Sequence, residues 1–154
     1  MTTTKPKTTS HIQIYEQDFS LWLEQASQLL REGNLAALDI ENLIEEIECM
    51  GRSEKQAIKS NLETILMHLL KYKYQPEKRS NIWRYTLLEH CRHLDEAFKT
   101  SLSLKRYFLQ EFENCYLGAR KLASTETGLA IATFPAETPF AIAQVLHEDY
   151  LPED

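Results

Sequence analysis

The sequence has few residues that break helices and few cysteines. Four glycines and five prolines in 154 residues exclude a loop-rich or disordered chain. The three cysteines are far apart and form no Cys-x-x-Cys pair or zinc-ligand spacing, which favours reduced thiols and a cytoplasmic protein. No run of about 18 apolar residues is present, so no membrane span is expected. The polar N-terminal stretch MTTTKPKTTSH is not a secretory signal, because it has no apolar segment.

Several functional signatures are also missing. The chain has no glycine-rich phosphate loop, no Gly-x-Ser-x-Gly elbow and no His-Glu-x-x-His motif. The chain also has few basic residues, since 23 acidic residues outnumber 17 basic ones and give a net charge of −6. Nucleic acid is therefore disfavoured as a partner, because binding it requires cations that displace counterions from phosphates. We expect neither a nucleic-acid nor a membrane partner.

What the sequence does contain is helical periodicity. Apolar residues recur every three or four positions and do not alternate over a useful length. This pattern predicts an all-α fold, an irregular bundle of about five main helices plus a short C-terminal helix. The predicted helices cover residues 15–31, 39–50, 54–74, 81–99, 104–127 and 138–147. Residues 1–14 are expected to form a mobile tail, and residues 15–154 a single helical domain.

The second predicted helix raises a question of continuity. Gly51 either ends it or is a weak point in a longer helix that runs on into the third. The apolar residues that recur along each predicted helix also predict which side chains form the core. These are Trp22, Leu43, Ile47, Leu62, Leu69, Trp83, Leu94, Phe108 and Phe112.

The stretch DIENLIEEIECMGR holds five carboxylates in residues 39–48. At about 100° per residue, Ile40, Leu43, Ile44, Ile47 and Met50 share one face. Beside that face lie Glu41, Glu45 and Glu48, which we call the acidic ridge, with Arg52 among them. We interpret the ridge as a solvent-exposed flank of the helix and not as a metal-binding site. Helix bundles that bind metals pair such glutamates with a Glu-x-x-His motif, which this chain lacks. No metal site is predicted.

The stretch HLLKYKYQPEKRSNIWR interleaves cations with aromatic residues and is called the basic corner. Such a pattern binds a nucleic-acid strand, or it arises when aromatics dock in the core and the lysines extend out into solvent. We favour the second interpretation in an acidic chain. A third is that the corner pairs with the ridge. The ridge is then predicted to form a salt bridge with at least one of Arg52, Lys71, Lys73 and Arg84.

Histidines and thiols are weaker candidates. His90 and His93 are one helical turn apart, within reach of one metal ion, but His90 falls on an apolar face and is better explained as a core histidine. His68 lies on a helix flank beside Asn61 and is an acid–base candidate with no visible partner. Cys49 and Cys91 have no His or Lys at helical spacing, and we expect them to be inert.

Several stretches resemble one family. They are YEQDFSLWLEQASQLLREG, LDIENLIEEIECMGRSEKQAI, LMHLLKYKYQPEKRS and ETPFAIAQVLHEDYLPED. The chain resembles, over residues 15–154, the prokaryotic domain of unknown function twenty-nine family, which is abundant in cyanobacteria. The resemblance implies an all-helical fold and no activity. His90 and His93 lie where that family more often carries Gln or Arg, which weakens the metal interpretation.

The sequence favours a non-catalytic interaction or adaptor module, since no catalytic constellation has a recognisable spacing. Its partner is expected to be another protein or a second copy, and no cofactor is expected. The alternative is a Mg²⁺-dependent hydrolase or nuclease built on the acidic ridge, because Mg²⁺ needs few protein carboxylates. The candidate functional cluster is Glu41, Glu45, Glu48, Arg52, His68, Trp83 and Arg84.

Overall fold

The computed structural model describes residues 10–153, and their regular structure is helical. The α-helices of this part of the chain are α1 (His11–Ile14), α2 (Phe19–Arg31), α3 (Ile40–Tyr74), α4 (Asn81–Thr100), α5 (Leu102–Thr127) and α6 (Ile142–Val145). Short 3₁₀ turns lie at Pro76–Lys78 and Ile131–Thr133. Residues 10–153 contain no strand, which confirms the all-α prediction.

Helix α3 resolves the question about Gly51. It runs without interruption for 35 residues, so the second and third predicted helices are one element. Gly51 is helical and lies inside α3, where it is a weak point and not a stop. The expected five main helices are therefore four long ones within the described residues.

The chain divides into two compact units, each of which is described by itself. The N-terminal unit ends at residue 52 and the C-terminal unit begins at residue 53. The expected N-terminal tail covers residues 1–14. Residues 1–9 lie outside the described part of the chain, whereas residues 11–14 form α1 and bury His11 and Ile14. A single domain over residues 15–154 stays a prediction.

Local capping explains where several helices begin and end. The side chain of Asp18 accepts a hydrogen bond from the Leu21 backbone N–H at 3.0 Å and begins α2. Ser80 accepts from the Trp83 N–H at 3.3 Å and begins α4, whose first residue is the one predicted from the sequence. Gly128 has a φ of 74° and closes α5, because a left-handed residue after a helix favours glycine.

In the N-terminal unit, Trp22 is fully buried and contacts both His11 and Asp39. His11 stacks on its indole with ring centroids 5.3 Å apart. The indole Nε1–H donates to Asp39 Oδ2 at 3.2 Å, and the Asn42 amide donates to the same oxygen at 2.8 Å. Asp39 is itself buried and immediately precedes α3, so these bonds fix the start of that helix.

The core of the C-terminal unit is formed by α3, α4 and α5 together with apolar residues that follow α5. Its fully buried large side chains are Phe108, Phe134, Ile58, Leu62, Ile65, Leu66, Leu69, Leu70, Leu94 and Val145. Six of the nine predicted core residues are buried in their units, namely Trp22, Leu62, Leu69, Leu94, Phe108 and Phe112. The prediction for Ile47 is wrong, since its side chain is 54% exposed, and Leu43 and Trp83 are only half-buried.

No helix within residues 10–153 is both long enough and apolar enough to cross a membrane.

Candidate functional site

The acidic ridge lies exposed on the first turns of α3. Arg52 reaches back along the same helix, with its Nη2 3.0 Å from Glu45 Oε1 and its Nη1 3.9 Å from Glu48 Oε2. These side chains are about 60% exposed, so each pair contributes little stability. The predicted salt bridge between the ridge and Arg52 is thus confirmed. Both of its pairs lie within α3, so they require no packing between helices.

Beside the ridge, the face expected to enter the core is open to solvent. Ile40 is 48% exposed, Ile44 50%, Ile47 54% and Met50 62%. We call these four residues the exposed apolar row. The periodicity of the sequence is correct in placing them on one face, but the described part of the N-terminal unit does not cover that face.

Glu46 lies on the other flank of α3 and has a structural role. It accepts a short hydrogen bond from the Tyr15 hydroxyl. This hydrogen bond, with partial burial and the charges of nearby carboxylates, raises the pKa of Tyr15 to about 12. The bond joins the end of α1 to α3, so Glu46 is engaged inside its unit.

Four cations of the basic corner, Lys71, Lys73, Arg79 and Arg84, have partners in the C-terminal unit. Lys71 is buried, with Nζ 2.8 Å from Glu126 Oε1 and 4.6 Å from the centroid of the Trp83 ring. Arg79 stacks on Tyr72 at 4.5 Å and donates to the Tyr72 carbonyl oxygen at 2.8 Å. Cations therefore cover faces of both aromatic rings. Tyr72 is buried, as the second interpretation expects, but Lys71 is buried as well and does not extend into solvent, so that interpretation is wrong for Lys71.

Two further cations of the corner are hydrogen-bonded. Lys73 Nζ donates to the Glu153 carbonyl oxygen at 3.3 Å, and Arg84 Nη2 donates to the Tyr72 hydroxyl at 3.4 Å. These contacts, with the Lys71–Glu126 pair, give no support to the predicted pairing of the corner with the ridge.

His68 lies in the C-terminal unit among the groups around Lys71. Its Nδ1 is 2.8 Å from the Thr64 carbonyl oxygen, so that nitrogen carries the proton and donates. Burial lowers the pKa of His68, and the positive charge of Lys71 acts in the same direction. The lowered pKa favours the neutral ring, in which Nε2 carries the lone pair. The carbonyl of Thr64 is the partner that the sequence did not reveal.

His90 and His93 form the second histidine group of the C-terminal unit. Their ring centroids are 5.7 Å apart. Asn61 of α3 faces both rings, with its Oδ1 2.6 Å from His90 Nδ1 and 3.3 Å from His93 Nδ1. Burial lowers the pKa of His90. The expectation of a core histidine is therefore too simple, because His90 is only half-buried and shares a polar acceptor with its neighbour.

An open cavity of about 450 Å³ adjoins this histidine group. It lies between α3, α4 and the start of α5, where Ile58, Ala97 and Leu104 provide apolar walls. Asn61 and His93 are among its polar lining residues. The cavity is a volume suited to a small molecule, with the histidine group at its edge.

The residues of the candidate cluster are distributed over both units. Glu45, Glu48 and Arg52 meet in the N-terminal unit, whereas His68 and Trp83 both lie close to Lys71 in the C-terminal unit. Within residues 10–153, no three His, Cys, Asp or Glu side chains gather closely enough to hold a metal ion. Whether these residues form a functional site stays a prediction.

Comparisons with known proteins bear on the family alone. A family model described as "Domain of unknown function DUF29" matches residues 14–151, which confirms the resemblance noted from the sequence. No curated protein matches the chain. No solved structure matches it either.

Proposed function

The chain belongs to the DUF29 family, and we propose that it is a non-catalytic interaction module. Its docking surface is the exposed apolar row together with the adjoining acidic ridge. The observation that carries the proposal is the exposure of Ile40, Ile44, Ile47 and Met50 along one face of α3. Contiguous apolar surface rimmed by charge is typical of protein interaction sites.

The spacing of the row fits a known mode of recognition. Ile40, Leu43, Ile44 and Ile47 occupy positions i, i+3, i+4 and i+7 of a helix, the anchor positions of helices that bind apolar grooves. Fully burying an aliphatic side chain contributes roughly 1.5–3 kcal/mol, so covering four half-exposed ones contributes several kcal/mol before the cost of association. This gain offsets part of the cost of association.

Charge identifies the chemistry of the partner. Residues 39–52 carry five carboxylates and one arginine. A second copy would bring acidic ridge towards acidic ridge, and such like-charge contacts oppose association. We therefore infer a partner that presents an apolar surface rimmed by Lys or Arg. The free thiols of all three cysteines support the expected cytoplasmic setting.

The alternative of a Mg²⁺-dependent hydrolase or nuclease has no comparable support. Its proposed carboxylates lie along one exposed helix, and Arg52 pairs with Glu45 and Glu48. A cation already placed between two carboxylates competes with a metal ion for them.

Two synthetic amphipathic peptides of about 20 residues provide a direct test. Both have the same leucine face, and their flanks are lysine in one and glutamate in the other. Fluorescence anisotropy should show that the lysine peptide binds at least about tenfold more tightly, because only its flanks complement the ridge. Glu45→Lys together with Glu48→Lys should reverse the preference.

Substitutions in the row test the apolar part of the surface. Ile44→Asp and Ile47→Asp should each weaken binding of the lysine peptide about tenfold or more, because each places a charge in the apolar contact. Ile82→Asp is the matched control, since Ile82 is 75% exposed on α4 of the other unit. Unchanged binding by Ile47→Asp would refute the proposed surface. A dimer in light scattering that Ile47→Asp dissociates would instead identify a second copy as the occupant.

A further inference from the structure

The histidine group on α4 has an arrangement that simple packing does not require. His90 and His93 lie on α4, and Asn61 lies on α3. The two Nδ1 atoms approach a single oxygen atom, Asn61 Oδ1, at 2.6 Å and 3.3 Å. We propose that His90 Nδ1, His93 Nδ1 and Asn61 Oδ1 bind one divalent transition-metal ion.

One of the two distances equals that between ligands that share an ion, and the other is slightly shorter. With metal–ligand bonds of about 2.0–2.1 Å, neighbouring ligand atoms lie about 2.8–3.4 Å apart in octahedral or tetrahedral geometry. The His93–Asn61 separation of 3.3 Å is already in that range. The His90–Asn61 separation of 2.6 Å must open by a few tenths of an ångström, which a small rotation of one side chain provides.

The orientation of the Asn61 amide is fixed independently. Its Nδ2 donates to the Ala57 carbonyl oxygen at 2.8 Å, one turn earlier on α3. That bond directs Oδ1, the only possible metal ligand of the amide, towards the two rings. A site held by side chains on two packed helices is better positioned than one on loops.

The ion would keep open coordination positions. Three protein atoms leave at least one position for water, as in zinc sites that bind further ligands. Asn61 and His93 also line the cavity of about 450 Å³, so an exogenous ligand can approach from there. Imidazole nitrogen selects Zn²⁺, Ni²⁺, Co²⁺ or Cu²⁺ over Mg²⁺ and Ca²⁺, which prefer oxygen.

The same contacts are compatible with two hydrogen bonds in which both rings donate an Nδ1–H to Asn61 Oδ1. In the hydrogen-bonded state each Nδ1 carries a proton. In the metal-bound state the ion takes the place of that proton at Nδ1. Nitrogen-15 NMR of the two imidazoles during Zn²⁺ titration distinguishes them. We expect saturable changes at Nδ1 of His90 and His93 at one equivalent. No change, or coordination through Nε2, would overturn the site as stated.

Cobalt absorption provides the second measurement, because Co²⁺ bound to imidazole has visible bands. We expect one Co²⁺ per chain, competed by Zn²⁺, and loss of binding by about tenfold or more in His90→Gln and His93→Gln. His147→Gln is the control, since His147 is an exposed histidine outside the group. Loss of binding in His147→Gln with retention in His93→Gln would overturn the proposal.

Asn61→Asp separates a ligand from a structural hydrogen-bond acceptor. A carboxylate at this position should tighten Co²⁺ and Zn²⁺ binding by about tenfold, because affinity rises with the charge of the ligands. Asn61→Leu, of similar size but with no oxygen, should abolish it. His93 is exposed, so His93→Gln should remain folded, and the NMR titration of the unmodified chain requires no variant. Equal metal affinity in Asn61→Asp and Asn61→Leu would remove Asn61 from the site.

Discussion

Lys71 lies against the face of Trp83, with its Nζ 4.6 Å from the ring centroid and 2.8 Å from Glu126 Oε1. Only 6% of the Lys71 side chain is exposed, whereas Glu126 is 51% exposed. The pair is therefore asymmetric. A buried ammonium depends on its partner, but a half-exposed carboxylate retains water when the lysine is removed.

This asymmetry predicts unequal effects of two substitutions. Glu126→Ala should lower the free energy of unfolding by about 1–3 kcal/mol, because it leaves the buried ammonium of Lys71 without its carboxylate partner. Lys71→Met should cost less than about 1 kcal/mol, since methionine keeps the contact with Trp83 and Glu126 remains hydrated. Urea unfolding measures both. Asp95→Ala, which breaks an exposed pair with Lys99, is the control, and equal losses for Glu126→Ala and Lys71→Met would contradict the asymmetry.

The sequence predicts the helices well because the signals for them are local. Ser80 begins α4 and Gly128 closes α5 at the predicted bounds of those helices, and the predicted core residues Leu62, Leu94 and Phe108 are buried. Periodicity identifies which residues share a face, but it does not say whether the fold supplies something to cover that face. Ile47 is on the predicted face and yet 54% exposed for this reason.

The polar groups were harder to predict because their partners are remote in the chain. Asn61 and His90 are 29 residues apart, and Lys71 and Glu126 are 55 residues apart. Helical spacing finds neighbours at three or four residues only. It therefore identified the pair of Arg52 and Glu48, which is exposed and weak, and did not identify the contacts that organise the C-terminal unit.

The buried carboxylate of Asp39 should be important for the N-terminal unit. Asp39→Ala leaves the buried indole N–H of Trp22 without its acceptor, which costs about 1–3 kcal/mol. Asp39→Asn keeps an acceptor oxygen and should cost less. The measurement is urea unfolding followed by Trp22 fluorescence in a Trp83→Phe background, with Asp18→Asn as a comparison in the same unit. Equal stability of Asp39→Ala and the parent chain would contradict the role of this bond.

Thiol reactivity should separate the three cysteines. Burial raises the pKa of both Cys91 and Cys115 to about 11, whereas Cys49 is exposed. The exposure of Cys49 corrects the expectation from the sequence that this thiol is inert, and at pH 8 we expect one fast-reacting thiol with Ellman's reagent, removed by Cys49→Ser. The raised pKa values mean that the fold favours the neutral form of these two thiols. Their contribution to the free energy of unfolding is therefore fully present below the pKa of an unfolded thiol, about 8.5, and is lost as the pH rises to about 11. Fast reaction of all three thiols would show an open core.

The acidic ridge should not bind Mg²⁺. Calorimetry with millimolar Mg²⁺ should give no saturable heat, since Arg52 lies 3.0 Å from Glu45 and the carboxylates are exposed along one helix. Arg52→Ala is the informative variant, because it removes the competing cation. Tight Mg²⁺ binding by the parent chain that Glu45→Gln abolishes would favour the hydrolase or nuclease alternative over an interaction module.

Gly51 lies inside α3, and replacing it tests the continuity of that helix. A Cβ built at this position meets no atom within 4 Å, and the residue has no positive φ. Gly51→Ala should therefore stabilise the helix by about 0.5–1 kcal/mol, because alanine loses less backbone entropy on folding. Amide hydrogen exchange should slow at residues 50–53. Gly128→Ala is the matched control, since its φ of 74° disfavours alanine and should make that substitution destabilising. Faster exchange in Gly51→Ala would mean that the chain needs glycine at this position, and that α3 is interrupted there in solution.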